Sequence, residues 1–214
     1  MKEITIFILG LFALASCSRP SGSLKGSISY ESSGEGTKLP DSGAKVSLYS
    51  LDMKDGKHNA GSAAADKAGK FIVEDIEPGS YFYIIESKNA KPCPAHAAYH
   101  LKLYRQEMKL LFGLDVSRYE SRLMELDDLR EKYDAILGSD ASDYASISDK
   151  ISAYETVQAE ISKKAQALIT DLPEGFKKNI GYAGKSRHEV TMGVVEVPEK
   201  QVSNLDFDFE MACR

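Results

Sequence analysis

Between Pro94 and Pro173 the chain runs without a proline and carries glycine only at 113 and 138. A stretch of that length without helix breakers is committed to helix once its apolar residues are periodic, and they are. Tyr144, Ile147, Ile151, Tyr154, Gln158, Ile161, Ala165, Leu168 and Leu172 step by threes and fours, the a/d spacing of a coiled coil. Asp143 is placed to cap this helix and Leu172-Pro173 to stop it, giving a rod about 40 Å long at 1.5 Å per residue. A partner helix is expected from Ser117, where Ser117 and Glu120 fit a capping box, through Leu123, Leu126, Leu129 and Tyr133 to Leu137. Residues 138–142 then form the hairpin loop. An amphipathic stretch at about 95–112 either continues this helix or forms its own.

The segments on either side have the opposite character. Before Pro94, short apolar runs alternate with Gly, Asp, Asn and Pro: residues 27–31, 44–51, 70–74 and 80–87. Val46 and Leu48 show the two-residue period, and Tyr81-Phe82-Tyr83-Ile84-Ile85 is a β-branched and aromatic run. Asp66-Lys67-Ala68-Gly69 and Glu77-Pro78-Gly79 supply turn chemistry between them. After Phe176 strands return at 188–197 and 203–211, the latter alternating Leu205, Phe207, Phe209 and Met211 with Asp206, Asp208 and Glu210. That alternation predicts a half-buried final strand completing the sheet begun before the helices.

The first sixteen residues are a targeting segment. Lys2 precedes an apolar run from Ile4 to Ala15 that is too short for the roughly 20 residues a membrane span needs. It ends in Leu14-Ala15-Ser16-Cys17, which resembles the bacterial lipobox, in which the cysteine thiol is lipidated before cleavage beside it. The expected mature chain therefore starts at a lipidated Cys17, with 17–23 as a polar tether; an ordinary signal peptide cut near Ala15 is the competing reading. Ser18 rather than Asp after the cysteine implies, by that resemblance, the outer membrane, and we place the protein on its periplasmic face. The membrane, through this lipid, is one expected partner and another envelope protein the second. A net charge of −5 with no basic block argues against nucleic acid.

Residues 24–87 resemble the carboxypeptidase regulatory-like, transthyretin-like β-sandwich family. The matching segments are Gly26-Ser27-Ile28-Ser29-Tyr30, the strand Ala44-Lys45-Val46-Ser47-Leu48, and Asp66-x-x-Gly69-x-Phe71 followed by Pro78-Gly79-x-Tyr81. The resemblance covers the N-terminal half of a transthyretin-like or Ig-like antiparallel β-sandwich; with the helical stretch and the returning strands the chain reads as α+β, a sandwich made by 24–90 and 180–212 interrupted by a long helical hairpin of coiled-coil type at 95–172. The resemblance also implies a non-catalytic module.

Chemistry-bearing residues are few. None of the four histidines has a glutamate three positions on, so the H-x-x-E zinc signature of the carboxypeptidases themselves is missing. No nucleophile elbow, phosphate loop or dinucleotide fingerprint occurs, and neither an enzymatic activity nor a cofactor is expected. Cys93, His96 and His100 are the one ligand-like cluster, with the histidines four apart on a helical face. Cys93 and Cys213 remain after lipidation of Cys17. Each follows a predicted strand in an oxidising compartment, so they either form a disulfide, stabilising by about 4–5 kcal/mol on the chain-entropy model, or stay as free thiols. Asp127 and Asp128 read as a solvated helix face. Leu101, Tyr104, Met108, Leu111 and Phe112 exceed what a two-helix seam requires and are a candidate face for a partner, or for packing on the sheets. The function expected is a lipid-anchored scaffold displaying a helical hairpin for protein interaction. Metal binding through Cys93, His96 and His100, or glycan or peptide binding by the sandwich, are the alternatives.

Overall fold

The computed structural model describes residues 21–32, 37–52, 59–140, 144–179, 182 and 188–209. Cys17, Asp143, Cys213 and the lipobox therefore lie outside the described residues.

Six strands come first: β1 (Gly22–Glu31), β2 (Lys38–Pro40), β3 (Lys45–Ser50), β4 (Asn59–Ala64), β5 (Lys70–Ile76) and β6 (Gly79–Ser87). Five helices follow, α1 (Pro94–Leu103), α2 (Arg105–Phe112), α3 (Glu120–Gly138), α4 (Tyr144–Asp171) and α5 (Glu174–Asn179), with a 3-10 turn at Val116–Tyr119 before α3. Three strands end the described chain: β7 (Glu189–Val197), β8 (Val202–Asn204) and β9 (Phe207–Asp208).

One sheet is antiparallel in the order β4-β3-β6-β7; the other is built around β1, with β2 and β5 antiparallel to it and β8 and β9 parallel. The expected turn chemistry is present. Asp66 Oδ1 accepts from the amides of Ala68 (2.8 Å) and Lys70 (2.9 Å). Gly69 sits at φ 74°, where a Cβ would lie 2.4 Å from the Ile28 carbonyl oxygen. The Tyr81 hydroxyl donates to the Glu77 carbonyl at 2.5 Å, tying the corner back on itself.

β6 explains why its sequence does not alternate. Tyr81 and Ile85 point into an apolar cluster shared with Leu24 and Ile28 of β1, Phe71 and Val73 of β5, and Val46 and Leu48 of β3. Phe82 and Ile84 point the other way, into a second cluster with Val190 and Met192 of β7, Leu101, Met108, Leu168, Ile169 and Phe176. The four-stranded sheet is thus a middle layer, with the second sheet on one face and helices on the other. β6 and β7 pair continuously from Gly79↔Val197 to Ser87↔Glu189, so the helices leave one strand and return to its neighbour.

Several expectations need correction. Among the described residues, the stretch at 95–172 is four α-helices, not a two-helix hairpin, with a break at Tyr104 (φ −110°, ψ 41°) separating α1 from α2. α3 and α4 do run antiparallel: Tyr133 meets Tyr154 at 4.7 Å and Lys164 pairs with Glu125 at 3.1 Å. The a/d stripe, however, divides. Ala165 and Leu168 are buried in the cluster with α1 and the sheet, while Ile147, Ile151 and Leu137 are 43, 52 and 49% exposed. Ser117 does not form a capping box, because its amide and hydroxyl donate to Asp115 (3.2 and 2.6 Å) and Glu120 takes a bidentate pair with Arg105 (2.6 and 3.0 Å). The final strand is split into β8 and β9. Between them the Asp206 carboxylate accepts from the Ser27 amide at 2.8 Å, taking a place a backbone carbonyl would hold in an unbroken ladder. β2 and β4 were not anticipated.

Candidate functional site

α1 begins at Pro94, whose missing N–H and fixed φ suit a first helical turn. Cys93 caps it in extended conformation without a side-chain bond, and the Cys93 amide donates instead to the carboxylate of Glu189 on β7. Glu189 is fully buried. Its other oxygen lies 2.8 Å from His96 Nδ1, His96 Nε2 lies 2.8 Å from His100 Nε2, and Thr191 Oγ1 is 3.4 Å further along. The ring of His100 stacks on Tyr104 at 5.7 Å, and its buried Nδ1 has no hydrogen-bond partner among the described residues.

The electrostatics follow from this enclosure. Burial pushes the Glu189 carboxyl up, opposed by the bonds from His96 and the Cys93 amide. Burial, followed by the neighbouring His96, lowers His100 to about 3, so it is a neutral ring at physiological pH. With Glu189 ionised, the consistent proton assignment puts hydrogen on His96 Nδ1 and on His100 Nε2, which donates to the bare Nε2 of His96.

His96 also borders a cavity of about 670 Å³ between α1, α3 and α4. Its apolar lining comes from Ala98, Leu123, Leu126 and Ile161, with Pro92, Cys93 and Pro94 also lining it. Three tyrosines, Tyr99, Tyr133 and Tyr154, present aromatic surface. Arg130 stands 4.9 Å over the Tyr99 ring, while Lys102 pairs with Asp127 across the α1/α3 boundary. Desolvation and the hydrogen bond with Tyr154 push the Tyr133 hydroxyl up to about 12. Asp134, Gln158 and Ser162 add further hydrogen-bonding groups. A volume of several hundred Å³, lined by apolar and aromatic side chains with a few polar groups, is the usual form of a small-ligand site between helices.

The residues singled out in the sequence are redistributed. His96 and His100 converge as their spacing implied, but Cys93 is disulfide-bonded, so its sulfur is no thiolate donor; Glu189 is the third group of the cluster. Cys213, its expected partner, lies outside the described residues. Of the two roles open to the extra apolar residues, packing on the sheets is the one seen: Leu101 and Met108 are fully buried, and Tyr104, Leu111 and Phe112 pack against the same cluster. Phe82 meets Tyr104 at 5.3 Å and Tyr49 meets Phe112 at 5.2 Å. Those side chains bind the helices to the sheet. Asp127, expected to be solvated, is half-buried in the pair with Lys102. Glu189 was missed; the only signal was a carboxylate opening the apolar run Val190-Thr191-Met192.

No family model and no curated protein matches the chain. Among solved structures, it is similar to one provisionally named a carbohydrate binding protein from Pseudomonas aeruginosa, at 10% identity over 91% of this chain and 92% of that one, with a TM-score of 0.36. It is also similar to (S)-allantoin synthase, at 16% identity and a TM-score of 0.25, over 32% of this chain and 26% of that one. Likenesses this distant say nothing of what this chain binds.

Proposed function

We propose that this chain is a non-catalytic envelope lipoprotein, tethered through Cys17, whose two sheets form a transthyretin-like sandwich carrying a helical layer that binds a short saccharide. The address rests on the lipobox-like sequence and the sandwich on the turn motifs at Asp66 and Pro78. The binding activity rests on the cavity between α1, α3 and α4. Tyrosine faces accept the C–H side of a sugar ring, and Arg130, Asp134 and Gln158 supply donors and acceptors for its hydroxyls. A non-catalytic role fits the histidine cluster. Both nitrogens of His96 are engaged, by Glu189 and by His100, and Thr191, the hydroxyl beside His100, is 2% exposed.

The test is saturation-transfer NMR and calorimetry on the mature chain carrying Cys17→Ser, against a panel of di- to tetrasaccharides. Binding that falls at least tenfold in Tyr133→Ala and in Arg130→Ala supports the reading. No saccharide binding at millimolar ligand refutes it. Palmitate labelling of wild type, lost in Cys17→Ala, tests the anchor. A second reading, docking of an envelope protein, is favoured by the exposed Leu137, Ile147 and Ile151 at the far end of α3 and α4.

A further inference from the structure

We infer that His96 and His100 form a two-histidine binding site for a divalent first-row ion of square-planar preference, Cu²⁺ foremost, with Glu189 orienting the first ligand. The i, i+4 spacing on α1 puts both rings on one side of the helix, and their Nε2 atoms face each other at 2.8 Å. Glu189 occupies His96 Nδ1, which fixes the tautomer and leaves the lone pair on Nε2, the carboxylate–imidazole arrangement that supports metal-bound histidines. One proton now bridges the two rings. A metal ion takes its place, the bridging proton moving to Nδ1 of His100, so both imidazoles stay neutral and no proton is released.

Donor type and the affinity order favour copper, and the ring separation is compatible with it. Two nitrogens at about 2.0 Å from an ion stand about 2.8 Å apart at a right angle and about 3.3 Å apart at the tetrahedral angle. The observed 2.8 Å is the length of the N–H···N bond between the rings and also fits the right-angle value of tetragonal Cu²⁺ and Ni²⁺, and copper leads the affinity order for imidazole donors. No three His, Cys, Asp or Glu side chains among the described residues form a metal-binding group, so water completes the coordination. The proton displaced onto His100 Nδ1 finds no partner there among the described residues. Two donors and that unmet proton set an affinity on the order of micromolar, far from the tightest protein copper sites.

The experiment is calorimetry and electron paramagnetic resonance with CuCl₂ on the untagged mature chain carrying Cys17→Ser. One equivalent binding at micromolar Kd, with hyperfine structure from two imidazole nitrogens, is expected. His96→Gln should weaken binding at least tenfold, and Glu189→Gln by about 10–100-fold with unchanged stoichiometry. The inference is overturned if wild type binds no stoichiometric Cu²⁺, or if the two-nitrogen signature persists in His96→Gln. The spectrum of wild type decides without any variant, and because no saccharide is used, failure of the groove reading leaves this result untouched.

Discussion

Phe82→Ala tests whether the helices are an integral third layer of the protein. Phe82 is completely buried, on the helix-facing side of β6, in edge-on contact with Tyr104 (5.3 Å) and Phe112 (6.5 Å). Removing a buried phenylalanine costs about 3–5 kcal/mol through lost transfer energy and the cavity left behind. Each aromatic pair adds about 0.5–1.5 kcal/mol beyond area, which points to the upper half of that range, about 4–5 kcal/mol. At a urea m-value of about 2–3 kcal/mol/M, the midpoint should fall by about 1.5–2.5 M. Ile85→Ala, three residues on and facing the other sheet, is the matched control at about 2–5 kcal/mol. Helix circular dichroism and hydrogen-exchange protection of β1 and β5 should report one shared transition in both variants. If Phe82→Ala displaces only the helical signal and Ile85→Ala only the protection of β1 and β5, β6 is not a wall common to both cores and the three-layer reasoning fails. A cost below about 1 kcal/mol for Phe82→Ala would refute the packing itself.

At Gly26 an added Cβ would stand 1.8 Å from the Leu205 carbonyl oxygen, and backbone cannot rotate out of the way. Gly26→Ala should therefore detach β8 and β9, seen as lost hydrogen-exchange protection over 202–208; retained protection would contradict the register. The Asp206 carboxyl is held below its ordinary 3.8 by the Ser27 hydroxyl and amide, so its contribution is present above that value and lost as pH falls through the lower folded value. The group is largely exposed and its effect on stability small, under about 1 kcal/mol, so the readout is the Ser27 amide shift, which should titrate in wild type and not in Asp206→Asn. Cys93 should resist alkylation until reductant is added, and reduction should lower stability by about 2–5 kcal/mol. Ready labelling of native Cys93 would exclude the bridge.

Much of the β architecture is legible because its signals are local. Asp66 and Gly69 make a turn by their own side-chain acceptor and backbone freedom, and Tyr81 closes its corner on a carbonyl four residues back. β2 and β4 were missed for the converse reason. Lys38-Leu39-Pro40 and the run from Asn59 to Ala64 are short, polar or small, and become strands through pairing with β1 and β3. The helical stripe shows a different limit. Periodicity identifies which residues share a face, but not what that face meets. Leu101, Met108 and Phe112 look alike whether they await a partner or cover β6, and the seam of α4 looks uniform although half of it packs on α1 and the sheet. The cavity draws on residues far apart in sequence, Tyr99, Arg130 and Tyr154 among them, whose convergence no local pattern encodes.

Glu189 shows how one such long-range residue can carry several structural demands. β7 is the terminal strand of its sheet, and an open edge requires cover. α1 packs beside it, sharing an apolar cluster with Val190 and Met192 while its histidines reach Glu189 and Thr191. The helix in turn starts at Cys93, whose amide precedes the first intrahelical bond and takes its acceptor from outside the helix. The Glu189 carboxylate answers both needs, accepting from the Cys93 amide and from His96. Glu189→Leu preserves apolar packing but leaves two buried donors unpaired, each costing about 1–3 kcal/mol, for a total of about 2–6 kcal/mol. Glu189→Gln keeps one acceptor and should fall between this variant and wild type. Thermal denaturation at pH 7 ranks the three. If the leucine variant melts as high as wild type, the carboxylate is not what seats α1 on the sheet edge, and the helix is held there by Leu101 and its apolar neighbours alone.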